Sequence, residues 1–264
     1  MADGIEVKGV SYEYGAGAVL AVKDASFAVA PSEFLCIVGP SGCGKTTILN
    51  MLAGFLSPTR GTIHIGGKPV AAGDGARTNR GVVFQDFAQL FPWRTARGNV
   101  EFGLEMRGIG KAERRETAME FLRLVGLEKF HASYPHQLSG GMQQRVAIAR
   151  ALAYNPGVLL MDEPFAALDA LTRRKMQEEL LELWDEVRFT LLFVTHSIEE
   201  ALVVGNRVAL LSPHPGRMRA ELNSHGFSLA SLGGAEFQGT AQRIHDMLFE
   251  EEQEQGQEHE EAAA

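Results

Sequence analysis

One stretch of eight residues, Gly39 to Thr46, constrains the fold of this chain more than any other. Its letters, G-P-S-G-C-G-K-T, follow the short apolar run Phe34 to Val38 and precede an amphipathic run, Thr47 to Ala53. A strand, a glycine-rich loop and a helix start, in that order, are the context that the pattern G-x-x-x-x-G-K-[ST] requires. Glycines let successive backbone N–H groups turn towards phosphate oxygens, and the helix N-terminus adds partial positive charge. The stretch therefore predicts a binding site for a nucleoside triphosphate.

The residue types in this stretch also suggest individual roles. Lys45 is expected to bridge the β- and γ-phosphates, and the Thr46 hydroxyl is expected to bind magnesium. The other predicted contacts to the nucleotide are Gly39, Pro40, Ser41, Gly42, Cys43, Gly44 and Thr47. The alternative is a glycine turn that matches the pattern by chance, and the flanking strand and helix argue against it.

Length and composition indicate a globular protein. A chain of 264 residues, 45% hydrophobic and 22% charged, is long enough to bury a sizeable core as one large domain or two small ones. It has no apolar run long enough to span a bilayer, and Met1 to Glu6 lacks the features of a signal peptide, so we expect no membrane crossing. Cys36 and Cys43 lie too close to the predicted phosphate site to suggest a disulfide framework, which favours a reducing cytoplasm.

The negative charge is concentrated near the C-terminus. The net charge is −8, and seven glutamates lie in the last fifteen residues. These are Glu250, Glu251, Glu252, Glu254, Glu258, Glu260 and Glu261. Without them, 26 acidic residues would face 25 basic ones, which argues against nucleic acid as the main partner. The terminal run has little to bury and is predicted to be a solvated or disordered tail.

Hydrophobic patterns divide the rest of the chain. Residues 5–14 and 22–30 alternate in the manner of antiparallel strands. Helical patterns then dominate residues 86–154 and predict an inserted helical segment. The individual patterns cover residues 95–107, 111–124 and 140–154. Beyond this insertion, apolar runs alternate with helices, which indicates a parallel sheet covered on both faces.

An apolar strand that ends in acidic residues, Leu159 to Glu163, supplies two carboxylates. One carboxylate at the carboxyl edge of a strand can hold Mg²⁺ through water, and its neighbour can activate an attacking water. We assign Asp162 to the metal and Glu163 as the general base, because adjacent side chains at a strand end point in different directions. An ordinary acidic helix start near Pro164 is the alternative.

The segment Leu138 to Arg145, L-S-G-G-M-Q-Q-R, opens a long helix. Ser139 is a good N-cap, and Gly140 and Gly141 leave backbone N–H groups uncovered at the positive end of that helix. At this distance after a phosphate loop, the string resembles the signature of ATP-binding cassette (ABC) ATPases. The resemblance extends from Tyr14 to about Arg219, and the motifs occur in the family's order.

The resemblance implies further roles for individual residues. Tyr14, rather than Tyr12, resembles the aromatic residue that stacks on adenine. Gln85 resembles the Q-loop glutamine, and His196 resembles the switch histidine that contacts the γ-phosphate. The implied catalytic residues are Glu163, His196, Gln85 and Lys45, the implied metal ligands are Thr46, Gln85 and Asp162, and the further nucleotide contacts are Ser139, Gly140, Gly141, Gln143 and Asp169.

The resemblance also implies a fold and a mechanism. Residues 1–225 would form an α/β ABC ATPase domain, with a P-loop core, a mainly parallel sheet, an N-terminal antiparallel β subdomain and a helical insertion at about 86–154. Beyond the resemblance, the residue pattern predicts that residues 226–264 form a C-terminal helix, at about 240–249, and the acidic tail. Two copies are expected to pair head to tail around ATP and Mg²⁺, with the Ser139 region of one copy covering the γ-phosphate of the other. Hydrolysis would then open the homodimer.

The match departs from the family at two positions. Ala166 stands where a D-loop serine is common, which leaves the coupling between the two sites open, although Asp169 is in place. Ser32 stands at a turn where glycine is common, and we expect this change to be harmless.

Three classes of protein compete for the function. A transport motor needs a docking surface for membrane helices near Gln85, and the apolar segment Phe91 to Trp93 fits that need. A soluble ABC ATPase of DNA repair or translation would carry a coiled-coil insertion, a second cassette or a basic face, and none is visible. A GTPase would show an N-K-x-D motif, which is absent.

Within transporters, the run Phe84 to Trp93 resembles the nitrate, sulfonate and taurine importer group. This resemblance implies a peripheral ATPase subunit on the cytoplasmic side of the inner membrane. Its permease subunits would dock near Gln85 and Phe91 to Trp93, and an extracytoplasmic solute-binding protein would act indirectly. An importer for a different small solute and a soluble, non-transport ABC ATPase are the alternatives.

Overall fold

The computed structural model describes residues 2–15, 19–73, 79–85 and 89–261, with side chains through residue 249. Ala16 and Gly17, between the two predicted N-terminal strands, and Asp86 and Phe87, within the run Phe84 to Trp93, lie outside these residues. The chain divides into two compact units. The first unit comprises Met1–Gly4, Ala30–Glu33 and Gly75–Leu192, and the second unit comprises Ile5–Val29, Phe34–Asp74 and Phe193–Ala264. The single domain expected over residues 1–225 stays a prediction.

Groups of strands and helices follow one another along the chain, and single strands and helices alternate over residues 158–211. In chain order they are β1 (Ile5–Tyr14), β2 (Val19–Val29), β3 (Phe34–Val38), α1 (Lys45–Ala53), β4 (Arg60–Ile65), β5 (Lys68–Pro69), β6 (Arg80–Val83), α2 (Ala96–Met106), α3 (Lys111–Leu124), α4 (Gly140–Leu152), β7 (Val158–Asp162), α5 (Ala170–Val187), β8 (Thr190–Thr195), α6 (Ile198–Val204), β9 (Arg207–Leu211), β10 (Met218–Asn223) and α7 (Ala235–Glu261). Residues 190–192 of β8 belong to the first unit, and residues 193–195 belong to the second.

The second unit contains the antiparallel sheet that the sequence predicts. Its strand order is β2-β1-β4-β5. Ile5 lies opposite Val29 on one side and opposite Ile65 on the other, and all three side chains are buried. Because successive side chains of a strand point to opposite faces, this register places one apolar face on the core and leaves the other face polar.

The second unit also has the strand order β10-β9-β3-β8. β3 and β9 are parallel, with Leu35 beside Arg207, whereas β10 is antiparallel to β9. Every residue of β3 is buried, as expected for a strand that is covered on both faces. Helix α6 contacts β3, and α7 contacts β9. The carboxyl end of β3 leads directly into the predicted phosphate loop.

The first unit has the strand order β8-β7-β6 and contains the helices predicted within residues 86–154. β6 and β7 are parallel, with Val82 beside Leu160. Helices α2, α3 and α4 contact one another, and Val100, Leu122 and Val146 are fully buried among them. The helical patterns of the sequence are thus confirmed.

Side-chain caps fix where several helices begin. Each cap precedes its helix and accepts a hydrogen bond from the backbone N–H three residues later, which satisfies one of the unpaired donors of the first turn. The caps are Thr95 for α2, Ser139 for α4, Asp169 for α5 and Ser197 for α6. Helix α1 begins differently, because Gly44 at its N-cap supplies no side chain.

The Ser32 turn adopts the conformation that favours glycine, with φ of 61°. Its N–H donates to Thr190 Oγ1 at 2.9 Å, and its hydroxyl donates to the Arg188 carbonyl oxygen at 2.8 Å. These two bonds offset the cost of a left-handed serine.

Trp184 lies near the end of α5 and is 6% exposed. Its Nε1 donates to the Phe189 carbonyl oxygen at 2.8 Å.

The structure differs from the sequence-based expectation at the C-terminal end. Strand β10 has no clear apolar alternation and was not predicted; its hydrogen bonds to β9 define it. Helix α7 continues to Glu261, whereas the sequence predicts an end near Phe249 and an irregular tail. Glutamate and glutamine have high helix propensity and the run lacks proline, so the backbone remains helical there.

Candidate functional site

The predicted phosphate loop joins β3 to α1 in the second unit. Gly42 and Gly44 have φ angles of 78° and 102°, which glycine adopts without strain. Because Gly44 supplies no capping side chain, the start of α1 is open to an anion. Thr46 is exposed at this start, and Thr47 is buried.

Close backbone contacts leave no room for side chains at two loop glycines. A Cβ at Gly39 would lie 2.5 Å from the Leu211 carbonyl oxygen. A Cβ at Gly44 would lie 2.7 Å from the Ala21 carbonyl oxygen. The loop is therefore packed against neighbouring backbone and is held in one conformation.

Gly216 braces the loop from a distant part of the sequence. Its N–H donates to the Ala21 carbonyl oxygen at 3.0 Å, and its carbonyl oxygen accepts from the Lys23 N–H at 2.9 Å. A Cβ at this position would overlap the Cys43 carbonyl oxygen. Gly216 is thus fixed to β2 and fits closely against the loop. This role of Gly216 was not predicted from the sequence.

Lys45 folds back over the loop that precedes it. Its Nζ donates to the carbonyl oxygens of Gly39 and Pro40, both at 2.8 Å, and the residue is 4% exposed. An ammonium group at this position can form a charge-assisted hydrogen bond with an anionic ligand.

Tyr14 lies beside the phosphate loop. Its hydroxyl is 3.2 Å from Thr47 Oγ1, and its ring packs edge-on against Tyr12 with centroids 4.8 Å apart. Tyr14 is 43% exposed. The structure therefore places an accessible aromatic ring next to the helix that follows the phosphate loop, as the adenine-stacking prediction requires.

His196 follows the end of β8 and is exposed. The turn that carries it is held by Thr195, whose hydroxyl donates to Glu200 Oε2 at 2.5 Å and accepts from the Ser197 N–H at 3.0 Å. Glu200 is 7% exposed, so this carboxylate is an inner support of the turn. Sequence reasoning missed Glu200, although Ser197 and Glu200 show the spacing of a capping box.

The two carboxylates at the end of β7 have different environments. Asp162 ends the strand and is 8% exposed. Glu163 follows with φ of 43°, an uncommon conformation for this residue type, and is more accessible. Asp162 is thus the more buried of the two residues. This arrangement fits the predicted division into a metal ligand and a base.

The predicted signature begins α4 in the first unit. Ser139 is exposed, and its Oγ accepts from the Met142 N–H at 3.3 Å. The Gln143 side chain folds back and donates to the Leu138 carbonyl oxygen at 3.1 Å. Gly141 is buried, and a Cβ there would lie 3.0 Å from the Thr172 methyl group. The start of α4 is thus already partly satisfied by its own side chains.

Asp169 and Gln85 complete the predicted residues of the first unit. Asp169 Oδ1 accepts from the Thr172 N–H at 3.1 Å and caps α5. Hydrogen bonds from the Thr172 side chain and backbone hold the pKa of Asp169 below its usual range. Gln85 is exposed and follows Phe84, the residue after β6.

The structure therefore brings the predicted residues together in two groups. The second unit holds Tyr14, the phosphate loop, Thr47 and His196. The first unit holds Gln85, Ser139, Gly140, Gly141, Gln143, Asp162, Glu163 and Asp169. Their individual roles in binding and catalysis remain predictions.

The chemistry of these groups fits ATP and Mg²⁺. The glycine N–H groups, the start of α1 and the Lys45 ammonium all favour phosphate oxygens. In the part of the chain that the structure describes, no cluster of three His, Cys, Asp or Glu side chains forms a metal cage. Mg²⁺ at phosphate sites is commonly held by one or two protein oxygens together with the phosphates themselves, and Thr46 and Asp162 offer such oxygens.

Comparison with known proteins gives a consistent result. A family model described as ABC transporter matches residues 22–166. An uncharacterised ABC transporter ATP-binding protein of Methanocaldococcus jannaschii is 52% identical over 208 residues, 79% of this chain and 76% of that protein. A nitrate import ATP-binding protein of Synechocystis is 49% identical, covering 78% and 76% of the two chains. A taurine import ATP-binding protein of Pelagibacter ubique is 48% identical, covering 81% and 78%.

A solved structure agrees in fold. A dimeric ATP-binding cassette in a post-hydrolysis state, bound to ADP and phosphate, superposes with a TM-score of 0.72 and 37% identity, covering 84% of this chain and all 100% of that chain. Within the described ranges, no helix is both long enough and apolar enough to cross a membrane. The fold is that of an ABC ATPase cassette, and proteins with this domain bind ATP with Mg²⁺ and hydrolyse it. The chain belongs to the ABC transporter family.

Proposed function

We propose that this chain is the ATP-hydrolysing subunit of an importer for a small anion of the nitrate, sulfonate and taurine class. It would act peripherally on the cytoplasmic side of the inner membrane. Two sets of observations support the proposal: the names of the nitrate and taurine import relatives, and an apolar groove in the first unit. The groove carries the argument, because a transport ATPase needs a surface for its membrane partner.

The groove is a cavity of about 350 Å³ between α2, α4 and the segment before α2. Its wall contains Phe91 and Phe102, whose ring centroids are 4.5 Å apart, and Met106, which is 65% exposed. Trp93, with its ring 5.5 Å from that of Phe91, is 71% exposed. Large apolar side chains with this exposure are typical of a surface that a partner covers.

The charge of the groove favours one type of partner. Arg107 and Arg150 both line it, with Arg107 stacked 4.4 Å over the Tyr154 ring and Arg150 5.9 Å from the Phe91 ring centroid. An amphipathic helix would place its apolar side against Phe91, and an acidic side chain or its carboxyl end against the arginines. We therefore propose that a short helix of the permease occupies this groove.

The substitution Met106→Asp tests the docking surface. It places a charge in the apolar part of the groove, so the permease should no longer co-purify, while ATP binding by the free chain should be unchanged. Met247→Asp, at an exposed methionine of α7, is the matched control. Retention of the permease by the Met106 variant would contradict the proposed site.

We propose that hydrolysis uses residues of two copies of the chain. The phosphate loop and Lys45 hold the phosphates, Glu163 accepts the proton of the attacking water, and His196 contacts the γ-phosphate. Thr46, Gln85 and Asp162 would hold Mg²⁺, which would supply positive charge to the phosphate oxygens. Ser139, Gly140, Gly141 and Gln143 of the second copy cover the same nucleotide, and Asp169 contributes at this interface.

The substitution Glu163→Gln tests this assignment. Loss of the base should lower kcat by about 10²- to 10⁴-fold, while ATP binding persists. Without hydrolysis the ATP-bound homodimer should accumulate, which size-exclusion chromatography with ATP and Mg²⁺ would detect. Glu186→Gln, at an exposed position of α5, is the control. Unchanged hydrolysis in the Glu163 variant would refute the assignment.

Two alternatives differ from this proposal in their partners. An importer for another small solute would keep the permease but carry a different ligand, and a soluble ABC ATPase would have no permease. Co-purification from native membranes, followed by uptake assays with nitrate, taurine and an alkanesulfonate, separates the three. Absence of any membrane partner, with ATPase activity that responds to nucleic acid, would contradict the transport function.

A further inference from the structure

The side chain of Gln89 binds both backbone groups of Phe84, the residue before Gln85. Gln89 Nε2 donates to the Phe84 carbonyl oxygen at 3.0 Å, and the Phe84 N–H donates to Gln89 Oε1 at 3.2 Å. Two bonds in opposite directions fix the position of a backbone segment, much as pairing within a sheet does. A single side chain therefore holds the backbone that leads from β6 to Gln85.

Gln89 is also tied to α4 and to the wall of the docking groove. Its Nε2 donates to Gln144 Oε1 at 3.3 Å, and Arg150 Nη1 donates to its carbonyl oxygen at 2.7 Å. Burial lowers the pKa of Arg150, and the Gln89 carbonyl supplies one of the acceptors that such a buried cation needs. Gln89 is thus bonded at once to α4, to a groove-lining arginine and to the segment that carries Gln85.

Gln144 supports the same interpretation. It is fully buried, and among the described residues its Nε2 has no hydrogen-bond partner. A buried amide that is half satisfied costs stability, and an apolar residue of similar size would avoid that cost. The hydrogen bond that its Oε1 accepts from Gln89 gives Gln144 a function that packing alone would not.

We propose that Gln89 is a positioning residue that fixes Phe84, and through it the placement of Gln85 at the magnesium-nucleotide. The inference rests on the proposed function, which assigns Gln85 to catalysis and to the metal. The proposed role of Gln89 involves no contact with substrate or metal. Its loss should therefore affect the reaction only through Gln85.

Gln89→Leu tests the proposal in the purified full-length chain. It removes the side-chain bonds, including the one that Arg150 Nη2 donates to Oε1 at 3.5 Å, at little change in volume. It leaves the backbone carbonyl oxygen to which Arg150 Nη1 donates. We expect kcat to fall about tenfold and the Mg²⁺ concentration for half-maximal activity to rise, with the KM for ATP changed less than about twofold. Gln238→Leu, at an exposed glutamine of α7, should behave as wild type.

Two further variants separate positioning from folding. Gln144→Leu should lower kcat as Gln89→Leu does, but its melting temperature should be unchanged or higher, because a half-satisfied buried amide is removed. The double variant Gln85→Ala/Gln89→Leu should be no slower than Gln85→Ala alone.

The outcomes distinguish this inference from the proposed function. Normal kcat and Mg²⁺ dependence in Gln89→Leu, beside an impaired Gln85→Ala, would overturn the role of Gln89 alone. Additive losses in the double variant would overturn it as well. If Gln85→Ala were as active as wild type, the assignment of Gln85 would itself be wrong.

Discussion

Helices α1 and α4 both begin with glycine-rich segments, yet their starts are built differently. The start of α1 has no capping side chain, and close backbone contacts at Gly39 and Gly44 hold its loop in place. The start of α4 is capped by Ser139 and lies at the surface. The first, the cradle formed by Gly39 to Thr46, is closely packed and carries a buried cation, Lys45. The second is partly satisfied by its own side chains and is suited to transient contact with a nucleotide on another copy.

Between the two helix starts, the largest expected effect comes from removal of the cation of the cradle. Lys45→Ala should lower ATP hydrolysis by about 10²- to 10³-fold, because no other group replaces the ammonium at the phosphates. A steady-state ATPase assay measures the change, and Lys68→Ala, at an exposed position of β5, is the control. Substantial activity in the Lys45 variant would mean that the cradle does not bind phosphate as proposed.

The second prediction concerns the rigidity of the cradle. Gly216→Ala introduces a methyl group where the Cys43 carbonyl oxygen lies, so the loop must shift. We expect ATP affinity to fall about tenfold, which corresponds to about 1.4 kcal/mol. Titration with a fluorescent ATP analogue measures it. Gly226→Ala, where a Cβ meets nothing within 4 Å, should bind ATP normally. Equal ATP affinities for the two variants would show that Gly216 does not hold the phosphate loop in place.

The third prediction separates the two roles of Ser139. Ser139→Ala should cost about 1 kcal/mol of unfolding free energy through loss of the cap. Ser139→Asp keeps the cap and should preserve stability, but its charge would repel the γ-phosphate of the second copy. Urea unfolding and ATPase assays on both variants test this. Full activity in Ser139→Asp would show that α4 does not face a nucleotide.

The smallest effect is expected at α5, a third helix start, which is capped by a charged residue. The folded-state pKa of Asp169 is lowered, so its contribution to stability is present above the unfolded-state value of 3.8 and is lost as pH falls through the folded-state pKa. Asp169→Asn keeps a neutral cap. Wild type should melt slightly above the variant at neutral pH, and the difference should vanish in acid. A difference that is independent of pH would contradict a charge-based cap.

The motifs of the candidate site that were predicted from the sequence are all local. The phosphate loop, the carboxylates after β7 and the α4 signature are each contiguous, and local chemistry restricts the residues that such segments accept. The capped helix starts are equally local, because a cap and its donor are three residues apart. The elements around these motifs were therefore predictable before any tertiary contact was known.

The supporting residues were not predictable in this way. Gly216 braces a loop that precedes it by more than 170 residues, and Gln89 acts through bonds to Phe84 and α4. Glu200 supports the His196 turn from inside the core. Each depends on which backbone atoms the fold brings near, and no residue pattern encodes that proximity. Strand β10 was missed for the same reason, since its pairing with β9 defines it.

The two tryptophans of the chain occupy opposite environments, and this makes the protein its own optical reporter. Trp93 is exposed beside the groove, whereas Trp184 is buried with its indole N–H bonded. Indole emission shifts to the blue when water is excluded from the ring. A Trp184→Phe variant would therefore report occupation of the groove through Trp93. A Trp93→Phe variant would report only the unfolding of the α5 region, so intrinsic fluorescence can follow docking and denaturation separately in unlabelled protein.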